Sequence, residues 1–239
     1  MTEHLPPPAR ASGIGEFERI THRREWSFVH VGFDVLYGAV LVMLAVVSVN
    51  TAAASLLGYE RVVVTPLRLL QSGLPLEAQL FSGVVAVAWL ALVVGALMLA
   101  RAPGHVNLKV YAVLAAVFFA LGALFVGGLA LVGFALLTLY LHGLGRAWYY
   151  ETMRRHGVVL LFALAVFALV LVMLGTRIPP GFAFGNVVGA EYRDLPLGAP
   201  LSLITALLPW WLWALWFMHV LHLGRRVTAV IKHPKPAAT

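Results

Sequence analysis

An acidic and an imidazole side chain stand one helical turn apart where the chain first becomes apolar. In WSFVHVGFDVLYGAV, residues 26–40, His30 and Asp34 are four positions apart and share one helix face. Asp34 is the only carboxylate well inside any apolar run. An acid in a membrane segment is typical of proton transfer, and beside a histidine it can orient that ring. Two interpretations stay open: Asp34 handles protons, or it is an interfacial acid that is paired with a nearby Arg or His and reached by water, which its position close to the membrane boundary favours.

Four histidines at the inner ends of the predicted membrane segments form a second candidate group. They are His30, His142, His219 and His222. Two imidazoles from different helices at one depth could ligate a b-type haem, with His142 opposite His219 or His30. These histidines are therefore candidates for binding haem b or quinone near the cytoplasmic face, although the sequence does not identify a cofactor. A non-haem site that includes Asp34 is the weaker alternative, so no metal centre is predicted. Histidine also suits a membrane interface, where one ring edge is wet, so a purely structural role stays open.

The composition requires a membrane around the elements that carry these residues. Of the 239 residues, 61% are hydrophobic and 11% are charged, whereas soluble domains average about 45–50% apolar and about 25% charged residues. So few charges cannot cover a water-soluble surface, and we expect lipid to cover much of the protein. The absence of cysteine excludes disulfides, thiolate zinc sites and iron–sulfur clusters. The net charge of +7 lies at the ends of apolar runs, which indicates membrane orientation rather than nucleic-acid binding.

The apolar runs predict an all-α integral membrane protein, a bundle of six transmembrane helices. A spanning helix needs about 20 mostly apolar residues. Six such runs are present, at residues 28–57, 78–100, 108–126, 129–148, 157–175 and 201–224. The third and fourth come from one apolar stretch of about twice the necessary length, which Gly127 and Gly128 divide into a tight helical hairpin. Residues 1–27 and 225–239 are predicted to be short tails.

The basic residues predict the direction of the six helices. They group before the first segment, between the second and third, after the fourth, and after the sixth. All four groups lie on one side if the chain crosses six times, and the positive-inside rule then places both termini in the cytoplasm. Five crossings, with one long helix over 108–148, would put basic groups on both sides. We therefore predict a multi-pass protein of a bacterial-type plasma (inner) membrane.

The last segment contains a proline beside a cluster of tryptophans, in LPWWLWALWFMHVLHLGRR, residues 208–226. If the helix begins near Ser202, the tryptophans lie toward the middle of the membrane and could pack on a ligand, quinone or pigment. If it begins at Pro209, three of them form an interfacial belt, and the helix has about 16 residues, which is short for a bilayer. Both interpretations stay open.

The sequence contains no strong catalytic motif: no GxSxG, HExxH or GxxxxGK[ST] pattern occurs. Short loops and a wholly apolar fifth segment favour a non-catalytic subunit or sensor-type module that works with other membrane subunits. The first alternative is the membrane anchor of a redox complex. The second is a proton- or small-solute-conducting carrier that uses the polar face of the first segment. That face comprises His30, Asp34, Tyr37, Leu41, Ser48 and Ser55.

Overall fold

The computed structural model describes residues 23–56, 76–103, 106–124, 129–148, 150–173 and 199–232. These residues form six α-helices, and none of them is in a strand. In chain order the helices are α1 (Arg23–Leu56), α2 (Leu76–Leu99), α3 (Val106–Leu124), α4 (Leu129–Ala147), α5 (Glu151–Met173) and α6 (Ala199–Lys232). Most of the predicted N-terminal tail, the glycine pair of the hairpin and the end of the C-terminal tail lie outside the described residues.

The first four helices are long and apolar enough to cross a membrane. Their apolar windows have mean hydropathies of 2.0, 2.4, 1.8 and 1.5 in chain order. Large apolar side chains also point outward, including Val87 (68% exposed), Leu90 (63%) and Phe162 (70%). Outward apolar surface on this scale marks contact with lipid or with other proteins. The predicted all-α class is confirmed, and the helices indicate a membrane protein; six crossings and cytoplasmic termini stay predictions.

Three helices extend well beyond the predicted membrane segments. Helix α1 begins at Arg23 and not at residue 28, so residues 23–27, which we assigned to the N-terminal tail, are helical. Helix α5 begins at Glu151 and not at residue 157, and α6 continues to Lys232. Residues 225–232, which we assigned to a tail, are therefore helical. The segment RRVTAVIK, residues 225–232, contains neither Gly nor Pro, so nothing in it ends the helix. A fall in hydropathy marks the point where a helix leaves an apolar medium, and the helix itself can continue beyond that point. Helix α6 also begins at Ala199 and runs through Pro209, so the earlier of the two predicted starts is the observed one.

The helices form a closed ring in which each packs mainly on its neighbours in the chain. Extensive packing of α1 on α6 completes the ring. Successive helices run in opposite directions, so the starts of α1, α3 and α5 meet the ends of α2, α4 and α6. Two contacts join these ends: Arg101 lies 4.5 Å over the Phe28 ring, and the Trp26 and Trp148 rings are 5.5 Å apart. The described members of the predicted basic groups thus share one end of the bundle, called the basic end below.

The centre of the bundle is filled by aromatic and aliphatic side chains. The Phe134 ring of α4 makes edge contacts with Phe119 of α3 at 4.9 Å and with Trp213 and Phe217 of α6 at 5.2 and 5.5 Å. Beside these rings is an apolar cavity of about 10 Å³. A space of this size holds about one water molecule. At this level, the described helices enclose an apolar core.

Candidate functional site

The basic end of the bundle brings most of the predicted site residues to one level, and Asp34 is bound there by an arginine. The Nε of Arg225 on α6 lies 2.7 Å from Asp34 Oδ1 on α1. The Asp34 side chain is 38% exposed and that of Arg225 is 50% exposed, so the pair is only partly shielded from solvent. Sequence analysis missed Arg225 because it follows the last apolar run. Asp34 is therefore paired as in the interfacial alternative, and proton handling by Asp34 stays a prediction.

His30 is held by α6 through a hydroxyl group. Its Nδ1 lies 2.9 Å from Thr228 Oγ1, and that oxygen is also 3.0 Å from the Gly224 carbonyl and 2.9 Å from the Arg225 carbonyl. A hydroxyl group has one proton, and Thr228 donates it to the carbonyls of its own helix. Thr228 Oγ1 therefore accepts a hydrogen bond from the Nδ1–H of His30. The Nε2 of His30 then faces Asp34, with 3.8 Å between Nε2 and Oδ2. Thr228 fixes the orientation of this ring, and it too lay beyond the predicted segment.

His142 is bonded to the backbone of the neighbouring helix. Its Nδ1 donates to the carbonyl of Arg154, at 2.9 Å. Glycines on both helices permit this approach: a Cβ on Gly145 would lie 2.8 Å from the Arg154 nitrogen, and one on Gly157 would lie 2.9 Å from the His142 Cβ. Such distances are too short for any residue with a side chain. His142 thus lies in the α4–α5 interface, with one ring nitrogen engaged.

The other two candidate histidines lie on the exposed side of α6. His219 contacts His156 of α5, with ring centroids 5.6 Å apart, and His156 contacts Trp216 at 5.7 Å. His222 is within electrostatic reach of Arg226, Arg225, His219 and Asp34. The bonds described for His30 and His142 lie in different interfaces, and His219 is placed beside His156, which sequence analysis did not select. Within the described ranges no three His, Asp or Glu residues are grouped to hold a metal ion; haem or quinone binding stays a prediction.

Further along, α1 and α6 are joined by a third polar contact. Trp211 Nε1 donates to Ser48 Oγ at 2.9 Å, and Ser48 donates to the Leu44 carbonyl at 2.6 Å. Together, the Asp34–Arg225, His30–Thr228 and Ser48–Trp211 contacts form a polar seam between the first and last helices. Tyr37 and Leu41, predicted on the same face, are 37% and 48% exposed. The polar face of α1 therefore lies along the edge of α6. The side chain of Ser55, the last predicted member of this face, lies outside the described residues.

The tryptophans of α6 divide between the core and the surface. Trp213 is buried, stacks on Phe217 at 5.0 Å and donates to the Leu160 carbonyl at 3.3 Å. Trp211 and Trp216 are 41% and 36% exposed. The three tryptophans of the cluster whose side chains the structure describes therefore do not form one surface belt, because Trp213 lies in the core.

An acidic residue at the start of α5 is paired with two arginines. Glu151 Oε1 accepts hydrogen bonds from Arg155 Nε and Arg154 Nη2, both at 2.8 Å. The hydrogen bond from Arg155 has the largest effect, and with Arg154 it lowers the pKa of Glu151 below its ordinary value of 4.5. An ionised acid in a first helical turn also complements the helix dipole. This group stabilises the start of the helix that carries His156.

The sequence and the fold were compared with known proteins. No family model, curated protein or solved structure matches this chain.

Proposed function

We propose that this chain is a non-catalytic, six-span module of a larger membrane assembly, acting as a subunit or sensor, with both termini in the cytoplasm of a bacterial-type cell. The direction is supported by the convergence of Arg24, Arg101, Lys109, Arg146, Arg154 and Arg225 at one end of the bundle. The apolar outer surface supplies contact with lipid and with partner subunits.

The observation that carries the proposal is that three of the candidate reactive groups are each bonded to a neighbouring helix. Asp34 is bound by Arg225, His30 by Thr228 and His142 by the Arg154 carbonyl. Groups engaged in this way hold helices at a fixed separation. The cavity at the centre is lined by apolar and aromatic side chains alone, whereas cofactor sites place a few polar groups in their lining to fix the orientation of the ligand. A hydrated path along the bundle axis would need polar lining, which this core level does not supply.

The experiment measures three signals on one preparation of the full chain, purified in a mild detergent from its own host. We expect a stoichiometric partner in the same native-gel band, no Soret absorption, and no proton flux after reconstitution into liposomes. His142→Ala and Asp34→Asn are the matched variants. A Soret band that disappears in His142→Ala would establish the redox anchor instead, and flux that disappears in Asp34→Asn would establish the carrier.

The six-span arrangement is tested separately, by reporters fused to each terminus in living cells. We expect both reporters to act in the cytoplasm. Opposite locations for the two termini would overturn an even number of crossings, whatever the partner experiment gives.

A further inference from the structure

One face of α6 changes from apolar to basic along its length. Leu212, Leu215, His219, His222 and Arg226 are three or four positions apart, and they therefore lie along a single stripe of the helix. We call these five residues the α6 stripe. Leu212 and Leu215 are 59% and 48% exposed, His219 and Arg226 are exposed, and His222 is partly exposed. The stripe is an outer surface of the ring.

The dimensions and charges of the stripe match one lipid molecule. From Leu212 to Arg226 the helix rises about 21 Å, at about 1.5 Å per residue, which is close to one leaflet of a bilayer with its headgroup. Three donor side chains, those of His219, His222 and Arg226, occupy the last two turns of the stripe at the basic end, and His156 of α5 is in contact with His219. Asp34, whose charge acts on His222, is already bound to Arg225. No residue of the α6 stripe is acidic, so the positive charge of Arg226 is not neutralised within the stripe.

We propose that the α6 stripe binds an acidic phospholipid. The phosphate lies between His219, His222 and Arg226, where imidazole N–H groups and a guanidinium supply hydrogen bonds and positive charge. The acyl chain lies along Leu212 and Leu215 toward the middle of the membrane. This site rests on the proposed six-span arrangement, since α6 must be in the bilayer.

The experiment uses quenching of tryptophan fluorescence by brominated acyl chains. Trp216 lies at the edge of the stripe, 36% exposed. The full chain is reconstituted in vesicles of phosphatidylcholine that contain increasing amounts of brominated phosphatidylglycerol or brominated phosphatidylcholine. We expect phosphatidylglycerol to quench at lower mole fraction than phosphatidylcholine does, and the difference to shrink in Trp216→Phe. In Arg226→Gln the preference should fall about five-fold, the effect of one basic residue near an anionic surface.

Arg146→Gln is the matched control, because Arg146 is an exposed arginine at the same end of the bundle on α4. We expect it to keep the wild-type preference. Equal quenching by both lipids, or equal losses in Arg146→Gln and Arg226→Gln, would overturn the site. Inorganic phosphate is added as a competitor, and if it removes the preference at millimolar concentration, the groups take a free anion and not a lipid. If neither lipid quenches Trp216, the assignment of α6 as a span is wrong as well, which separates the two failures.

Discussion

The close approach of α4 and α5 predicts that Gly145→Ala destabilises the protein. A Cβ at this position would lie 2.8 Å from the Arg154 backbone nitrogen and 3.2 Å from the Met153 carbonyl carbon. Ordinary contact begins at 3.4 Å, so the two backbones must separate by about 0.6 Å. Neither atom belongs to a flexible side chain, and the shift therefore moves the whole start of α5. It also lengthens the bond from His142 to the Arg154 carbonyl, which is 2.9 Å in the wild type.

The expected magnitude comes from two opposing effects. Overpacking in a close-packed interior costs about 1–3 kcal/mol, and loss of one hydrogen bond adds about 0.5–1.5 kcal/mol. Replacement of a helical glycine by alanine raises the helix propensity, which stabilises the folded state by about 1 kcal/mol. The free energy of unfolding should therefore fall by about 0.5–3.5 kcal/mol in Gly145→Ala. Unfolding by denaturing detergent, followed by circular dichroism in mixed micelles, measures this difference.

Gly38→Ala is the control, because the space around a Cβ at Gly38 is open to 4 Å. Only the gain in helix propensity applies there, so stability should stay the same or rise by about 1 kcal/mol. Gly157→Ala, which crowds His142 from the opposite helix, should resemble Gly145→Ala. If Gly145→Ala were as stable as Gly38→Ala, then the close α4–α5 approach, and with it the position of His142, would be wrong.

Three further measurements test the polar contacts. In a double-mutant cycle of Asp34→Asn and Arg225→Gln, the half-exposed pair should show a coupling free energy of about 0.2–1 kcal/mol, and additive effects would show that it does not join the helices. The pKa of Glu151 is lowered in the folded state, so its ion pairs contribute stability that is present above the ordinary carboxylate pKa and is lost as the pH falls through the folded-state pKa. The thermal stability lost in Glu151→Gln should therefore be measurable near about pH 7 and should decrease as the pH is lowered below the ordinary carboxylate range; a larger effect in acid would contradict it. Tyr140→Phe removes the 2.9 Å hydrogen bond from the tyrosine hydroxyl to the Leu99 carbonyl. That carbonyl still accepts a hydrogen bond from the Ala102 amide at 3.1 Å, so the free energy of unfolding should fall by only about 0.5–1 kcal/mol. A fall of more than about 2 kcal/mol would mean that the carbonyl is left unsatisfied.

The helices were predictable because each is a local property of the chain. An apolar run of sufficient length has to satisfy its own backbone hydrogen bonds, and the predicted hairpin agrees with the helices at Val106–Leu124 and Leu129–Ala147. The common level of the basic residues followed from the alternation of direction. Both results depend on residues within about 25 positions of each other.

The partners of the candidate residues were not predictable for the opposite reason. His30 and Thr228 are 198 positions apart, and nothing in either segment indicates that α1 packs on α6. His142 donates to a backbone carbonyl, a group that every residue possesses, so no residue type in the sequence could have identified Arg154 as its partner. Arg225 could have been found: an arginine just past the last apolar run at the level of Asp34 is a candidate for pairing with it. Assigning it to a tail removed it from consideration.

The location of the polar seam has a physical reason. In lipid, apolar packing between helices is weakly directional, because acyl chains are as apolar as leucine. The pairs α2–α3, α3–α4 and α4–α5 are joined by short connections, and small residues such as Gly145 and Gly157 let them pack closely. Helices α1 and α6 are at opposite ends of the chain, so no connection brings them together. Directional bonds are the means by which two such helices find a single register, and the three bonds of the seam lie in that interface. Removing them should therefore loosen the closure between α1 and α6 while the α3–α4–α5 packing is retained, and disulfide trapping of paired cysteines introduced in each interface would measure the two effects separately.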